Sequence, residues 1–273
     1  MNKAIIAIAK NENRYLDEWI TYYHNLGFSH FYIWDNNEPG DNSIFDVTKK
    51  YDFVTVLDAR GRDKLNALGK QKGCYQRTYN TIKDQYDWIG IFDIDEFLYI
   101  PKDIDEFLSE ERWKDTAVIH FNWRYYGDSD LVFYDDRPVQ ERFTVPCPDN
   151  VVYNAAIDRE NTWVKSMIRG KLNDMTILIH SARHPTMKCR HANGNIENGF
   201  SERSPIIDFS NGYVKHYGTK TIEEYIDRKC KNRRNACDDN FIKASTRLDW
   251  FFNVNRHTPE KDAIAKFFYD RGI

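Results

Sequence analysis

Residues 4–9 are a continuous apolar run that breaks into Lys10-Asn11-Glu12-Asn13, the pattern of a buried strand leaving a core. Leu16, Trp19, Ile20 and Tyr23 then recur at helical spacing, and Gly27 stops the helix they predict. Residues 31–34 read as a second strand, closed by the dense turn signal Asp35-Asn36-Asn37-Glu38-Pro39-Gly40. A short helix around 43–51 precedes a third strand at 54–57, and a longer helix over about 64–86 leads into a fourth at 89–92. Strands alternating with helices predict an α/β fold whose sheet is mostly parallel and flanked by helices. Past residue 115 the pattern loosens. A strand is expected over 117–123, short strands at 177–180 and 212–217, a helix near 222–233, and further helices from Phe241 to the end.

The fourth strand drives into Asp93-Ile94-Asp95-Glu96. If the strand continues, side-chain alternation sends Asp93 and Asp95 out on one side. Two ionised carboxylates so close repel each other and lose hydration unless a cation lies between them. A divalent metal with oxygen ligands, carrying a diphosphate, removes the conflict; a solvated strand end is the plainer alternative. In parallel sheets ligands gather at the carboxyl ends of the strands, so the loops holding Glu12, Asp35 and Asp93/Asp95 are expected to open onto one crevice.

The hexapeptide Asp93–Leu98 recurs letter for letter as Asp103–Leu108, this time after Tyr99-Ile100-Pro101-Lys102. There Asp103 reads as a helix N-cap with Glu106 completing a capping box, and acids suit the first turn of a helix. The second copy is therefore expected to do no more than cap a helix.

At 273 residues the chain is long enough for one large core, and 15% aromatics suit both packing and a sugar- or base-facing cleft. A formal charge of −3 argues against nucleic acid held by bulk electrostatics. The basic run at 228–234 is read as a solvated helix face, with contact to phosphates or an anionic membrane surface as the alternative. Five scattered cysteines without a CxxC pair fit reduced thiols and a cytoplasmic setting. The apolar start is too short for a secretory signal, and no stretch spans a bilayer. His180, His184, Cys189 and His191 resemble a zinc frame only loosely, and a basic loop is the better reading. No dinucleotide, P-loop or serine-hydrolase signature occurs. Phosphatases that use the first of two such aspartates as nucleophile place Thr or Val where this chain has Phe97.

Taken in order, several segments resemble the glycosyltransferase family 2-like group and the related family 92, which share the GT-A fold. They are Lys10-Asn11-Glu12 with Leu16, Glu18 and Trp19; Trp34-Asp35-Asn36-Asn37 with Asp41; Trp88 to Leu98; Asn122-Trp123-Arg124 with Gly127; Glu141-Arg142-Phe143; Lys165; and Lys215-His216-Tyr217. The resemblance implies a single Rossmann-like GT-A domain over 1–273, with a nucleotide-binding half at about 1–115. An irregular acceptor-side half with a helical tail follows at about 116–273. It implies an inverting transferase using Mn²⁺ or Mg²⁺ and a nucleotide-sugar, a UDP-sugar by expectation, with a glycan or glycolipid acceptor. Glu12 and Asp35 would lie by the nucleoside, Asp93 by the ribose or the metal, and Asp95 and His216 on the metal, where an imidazole beside oxygens suits Mn²⁺. Lys220 or Lys229 would meet the leaving diphosphate, and Asp128 or Asp130 would take the acceptor's proton, with Asp135, Asp136 and Glu141 as substitutes. A polysaccharide-building enzyme in the cytoplasm, in peripheral contact with the inner face of the membrane, follows from the same likeness. A nucleotide-sugar- or glycan-binding module without turnover is the competing reading.

Overall fold

The opening apolar run forms β1 (Lys3–Ala9), in which every residue except Ile8 is buried. α1 (Leu16–Asn25) buries the four residues its spacing singled out. β2 (His30–Asp35), α2 (Phe45–Thr48), β3 (Val54–Asp58), α3 (Ala67–Ile82) and β4 (Trp88–Ile91) complete the regular alternation. Next come β5 (Glu96–Tyr99), α4 (Ile104–Leu108), β6 (Thr116–Tyr125), α5 (Val139–Arg142) and β7 (Val164–Arg169). The remaining elements are β8 (Thr176–Ile177), β9 (Ala182–Arg183), β10 (Lys188–His191), β11 (Ile196–Glu197), β12 (Tyr213–His216) and α6 (Ile222–Tyr225). The structure is a computed structural model and describes residues 1–61, 67–146, 160–231, 251–252 and 254–255.

Contacts divide the chain into two units, Met1–Trp123 with Asn161–Lys215, and Arg124–Glu160 with His216–Ile273. Residues 161–215, which the sequence reading grouped with the half at about 116–273, share the first unit with residues 1–123.

In the first unit the main sheet runs β11-β10-β6-β7-β4-β1-β2-β3. β3, β2, β1 and β4 are parallel, as is the β6–β10 pair, while β7 runs antiparallel between β4 and β6. β12 pairs with β5 and β6 beside this path. The two faces carry different helices. Trp19 and Tyr23 of α1 set their rings on Phe31 and Phe92. Tyr75, Tyr79 and Ile82 of α3 pack with Ala4, Ile6, Ile89 and Ile91. Gly90 has no room for a side chain: a Cβ there would press into the Phe92 ring and against Phe28.

In the second unit, Arg142 makes a bidentate pair with Glu224, at 2.8 and 3.1 Å, with both side chains buried. Thr221 and Glu224 form a capping box for α6, which continues as a π-helical stretch over Ile226–Lys231. Ile222, Tyr225, Ile226 and Phe251 close a small apolar cluster over it.

Two sequence expectations are corrected. The strand expected at 177–180 is two residues long, Thr176–Ile177, because Leu178 turns back to donate to the Ser181 carbonyl at 2.8 Å. The expected continuation of β4 through Asp95 is a turn, described next. The helices expected from Phe241 onward lie, apart from a few residues, outside the described residues.

Candidate active site

The acidic segment is a turn between β4 and β5. Glu96 N donates to Asp93 O at 3.1 Å, so strand alternation does not set the directions of Asp93 and Asp95. α1 holds the turn from beneath. Trp19 Nε1 donates to the carbonyls of Asp93 (2.9 Å) and Glu96 (3.1 Å), and Tyr23 Oη donates to Glu96 O (3.1 Å) while accepting from Leu98 N (2.9 Å). Rings thus fix a backbone whose own strand pairing has ended.

Three carboxylates share this turn with one ammonium from β7. Lys165 Nζ lies 2.7 Å from Asp93 Oδ2 and 3.4 Å from Glu96 Oε2, and Lys165 and Glu96 are fully buried. Asp93 Oδ1 accepts from Tyr75 Oη (3.2 Å) and Gln71 Nε2 (3.4 Å) of α3, and Asp93 N donates to Glu96 Oε2 (2.9 Å). Asp95 is buried, and one of its carboxylate oxygens lies within 4.8 Å of one of Glu96. Burial pushes the Glu96 carboxyl well above its ordinary range, Asp93 and Asp95 push the same way, and Lys165 opposes them. Burial by itself would lower Lys165, yet Asp93 and Glu96 outweigh it and hold the ammonium above its ordinary value. Asp93 is the nearer of the two carboxylates to the Lys165 ammonium, at 2.7 Å against 3.4 Å for Glu96. Burial also raises the Tyr75 phenol, which keeps it a donor to Asp93.

The loops after β1 and β2 lie at the same strand ends, since Ala9 is the register partner of Asp35. Asn37 ties them: its Oδ1 accepts from Asn11 N (2.7 Å), and its Nδ2 donates to Asn13 Oδ1 (2.9 Å) and Asn42 O (2.7 Å). Glu12 is buried in the first loop, and its carbonyl accepts from Tyr15 N at 2.9 Å. Asp35 is buried with both oxygens engaged, accepting from Asn37 N (3.0 Å), Ser43 Oγ (2.7 Å) and Ile44 N (3.2 Å), with Arg60 Nε at 3.9 Å. Any acceptor role for Asp35 toward a nucleoside draws on a carboxylate that already organises its own loop.

The other expected residues belong to the second unit. Ser129 and Asp130 both have left-handed backbones (φ 52° and 59°), and Asp128 braces this turn by accepting from Asp130 N at 3.0 Å. Asp128 is buried, with its N–H on Asn255 Oδ1 (2.6 Å), while Asp130 is exposed. His216 ends β12 with its ring edge-on to Tyr125, centroids 4.8 Å apart. Lys220, expected to meet the leaving diphosphate, precedes α6. It is buried, with φ 57°, and donates to Tyr217 O at 3.1 Å. Lys229 lies in the π-helical stretch, and its side chain is outside the described residues.

The loose zinc frame does not assemble. Cys189 Sγ lies 3.3 Å from His120 Nε2, His191 bonds Asn122 Oδ1 at 2.7 Å, and His180 packs against Trp123 and Trp163. Sequence reasoning gave no role to Lys165, Glu96, Tyr75 or Gln71. The third acid of the segment, Glu96, and the place of Lys165 among the resembling segments were the available signals.

The sequence profile of glycosyltransferase family 92 matches residues 8–249. A family 92 protein of Ricinus communis is 27% identical over 112 residues, 41% of this chain and 19% of that protein, so the chain spans about a fifth of that relative's length. Among solved structures, TarS of S. aureus is similar at 12% identity and a TM-score of 0.36, over 62% of this chain and 28% of that one. The mannosyltransferase PcManGT of Pyrobaculum calidifontis, solved with GDP-Man and Mn²⁺, is similar at 12% identity and a TM-score of 0.30, over 55% of this chain and 48% of that one.

Proposed function

This chain belongs to glycosyltransferase family 92, and from that premise we propose that it is a metal-dependent, inverting GT-A glycosyltransferase. It moves a sugar from a nucleotide-sugar, a UDP-sugar in this proposal, to a glycan or glycolipid acceptor. The observation that carries the reading is the acidic turn at the end of β4, where Asp95 and Glu96 are buried side by side and Lys165 pairs with Asp93 and Glu96.

Carboxylate oxygens of this kind suit a hard divalent cation, and Glu96 Oε1, buried with no hydrogen-bond partner among the described residues, is an atom such a cation satisfies. When bound, Mn²⁺ or Mg²⁺ supplies neutralisation of the charge that grows on a departing diphosphate. The chain's own residues do the rest. Trp19 and Tyr23 hold the turn in place, so its carboxylates need not reorganise as charge develops. The loops bridged by Asn37 present Glu12 and Asp35 at the neighbouring strand ends, where the nucleoside is proposed to lie. Lys220 and Lys229 are proposed contacts of the diphosphate and His216 a further metal ligand, on the resemblance alone. Direct displacement requires a base for the acceptor hydroxyl. Of the two candidates, Asp130 is exposed and Asp128 is committed to its turn, so Asp130 is the base in this proposal. No helix among the described residues is long and apolar enough to cross a membrane; a cytoplasmic place at the inner membrane face is part of the same proposal.

A thermal-shift screen of nucleoside diphosphates with and without Mn²⁺, followed by UDP release from UDP-sugars with mixed acceptors, tests it. Stabilisation by UDP that requires Mn²⁺ is expected. Binding of UDP without release of UDP from any sugar donor would favour the non-catalytic module.

A further inference from the structure

The acidic turn is not symmetric in what its acids face. Asp93 has both oxygens committed inside the protein, Oδ2 to Lys165 (2.7 Å) and Oδ1 to Tyr75 and Gln71 (3.2 and 3.4 Å). Glu96 gives only Oε2 to protein donors, namely Asp93 N (2.9 Å) and Lys165 (3.4 Å). Its Oε1 is buried with no hydrogen-bond partner among the described residues, on a side chain with no exposed surface. A buried acceptor left unmade costs far more than one that is paired. An oxygen of Glu96 and one of Asp95 lie within 4.8 Å of each other, a span one divalent ion with oxygen ligands at about 2.0–2.6 Å bridges.

We propose that Glu96, and not Asp93, is the carboxylate that joins Asp95 on the cation, and that Lys165 is the positioning residue that enforces the choice. The claim rests on the metal-dependent reading above and departs from the simpler pattern in which the two aspartates of the motif meet the ion. With its ammonium 2.7 Å from Asp93 and 3.4 Å from Glu96, Lys165 offsets the charge of Asp93 more closely, so a metal gains less from Asp93 than from Glu96. The remaining exposure of Asp93, 29% of the side chain, leaves it open to a neutral hydroxyl donor instead. Removing Lys165 therefore releases Asp93 to compete for the ion.

The test is Mn²⁺ binding by electron paramagnetic resonance, with and without UDP, on Asp93→Asn, Asp95→Asn, Glu96→Gln, Lys165→Met and Lys165→Met with Asp93→Asn. Asp95→Asn and Glu96→Gln should each weaken Mn²⁺ binding about tenfold or more, and Asp93→Asn should change it by no more than about threefold. In the Lys165→Met background, Asp93→Asn should now weaken binding about tenfold, a coupling that a purely structural lysine would not create. Lys165→Arg should restore the wild-type pattern. If Lys165→Met or Glu96→Gln does not fold, Asp93→Asn decides alone: retention supports the assignment and a tenfold loss overturns it. A wild type that binds no Mn²⁺ even beside UDP also overturns it. UDP release is scored separately, so a protein that shows this metal pattern but turns over no sugar donor overturns the transferase reading and leaves the ligand assignment standing.

Discussion

Asp93–Leu98 and Asp103–Leu108 are the same six residues in two different structures. Their apolar members behave alike: Ile94, Phe97 and Leu98 are buried, and so are Ile104, Phe107 and Leu108. Their backbones do not. The Asp93 carbonyl is taken by Trp19 Nε1 and Glu96 N, which closes a turn into β5. The Asp103 carbonyl accepts from Phe107 N at 2.9 Å, which opens α4. Asp103 (φ −57°, ψ 137°) is the N-cap, accepting from Asp105 N and Glu106 N, as its context after Pro101 predicts. Glu106 does not complete the expected box and faces Lys102 at 3.6 Å instead. Each copy also has a buried lysine: Lys165 serves Asp93 and Glu96, and Lys3 serves Asp105. The hydrophobic letters determine that the segment is buried, whereas the donors it meets determine its conformation. The expectation that the second copy only caps a helix was too narrow, since Asp105 is the counter-ion of Lys3.

The comparison breaks or sharpens under four changes, from the largest expected effect to the smallest. Asp95→Ala should lower sugar transfer about a thousandfold, the several kcal/mol a metal contributes to a transition state, and Asp105→Ala should leave it within about twofold. Equal losses in a turnover assay would erase the distinction between the copies. Lys165→Met strands buried carboxylates and should cost about 3–5 kcal/mol in denaturant unfolding without divalent ions. Loss of Asp105 is expected to cost Lys3 about 1 kcal/mol or less, because Asp105 is 48% exposed and water replaces it. Asp103→Ala should cost about 0.5–2 kcal/mol as a lost cap, again by denaturant unfolding.

The fourth difference is one of sign. Glu96 has its folded value raised above 4.5, so its contribution to stability is complete below that pH and is lost as pH rises toward the folded value. Burial works against Asp105 too, but Lys3 prevails and lowers it below 3.8, so its contribution is present above that pH and is lost as pH falls through the folded value. Melting temperature against pH, with chelator present, should therefore lose part of its fall above pH 4.5 in Glu96→Gln and part of its acid-side slope in Asp105→Asn. Slopes of the same sign would show that burial does not outweigh the lysine at Glu96 while the lysine outweighs burial at Asp105.

What was legible in the chain follows from the range of the interactions. β1, α1 and β4 came within a residue or two, because an apolar run or a 3.6-residue stripe is a local record of burial. β7 left no such record, since Lys165 and Ser166 interrupt it, and its polar members are buried because their partners come from elsewhere in the chain. The direction of Asp93 was misjudged for the same reason: Trp19, which takes its carbonyl, lies 74 residues earlier. Asp35 was visible as a loop acid after β2, but the three hydrogen bonds that engage it are made within a turn whose geometry no periodicity encodes. Lys220 was named from the family resemblance, which is silent on whether a lysine before a cap points in or out.

Because β7 is inserted against the grain between β4 and β6, the ammonium that steadies the acids arrives 72 residues after the first of them. A ribosome therefore makes the turn well before it makes the counter-ion. Fragments that stop short of Lys165 carry the acids without their partner, so β1 to β4 are not a portable module, and trimming or grafting should keep β7 with them.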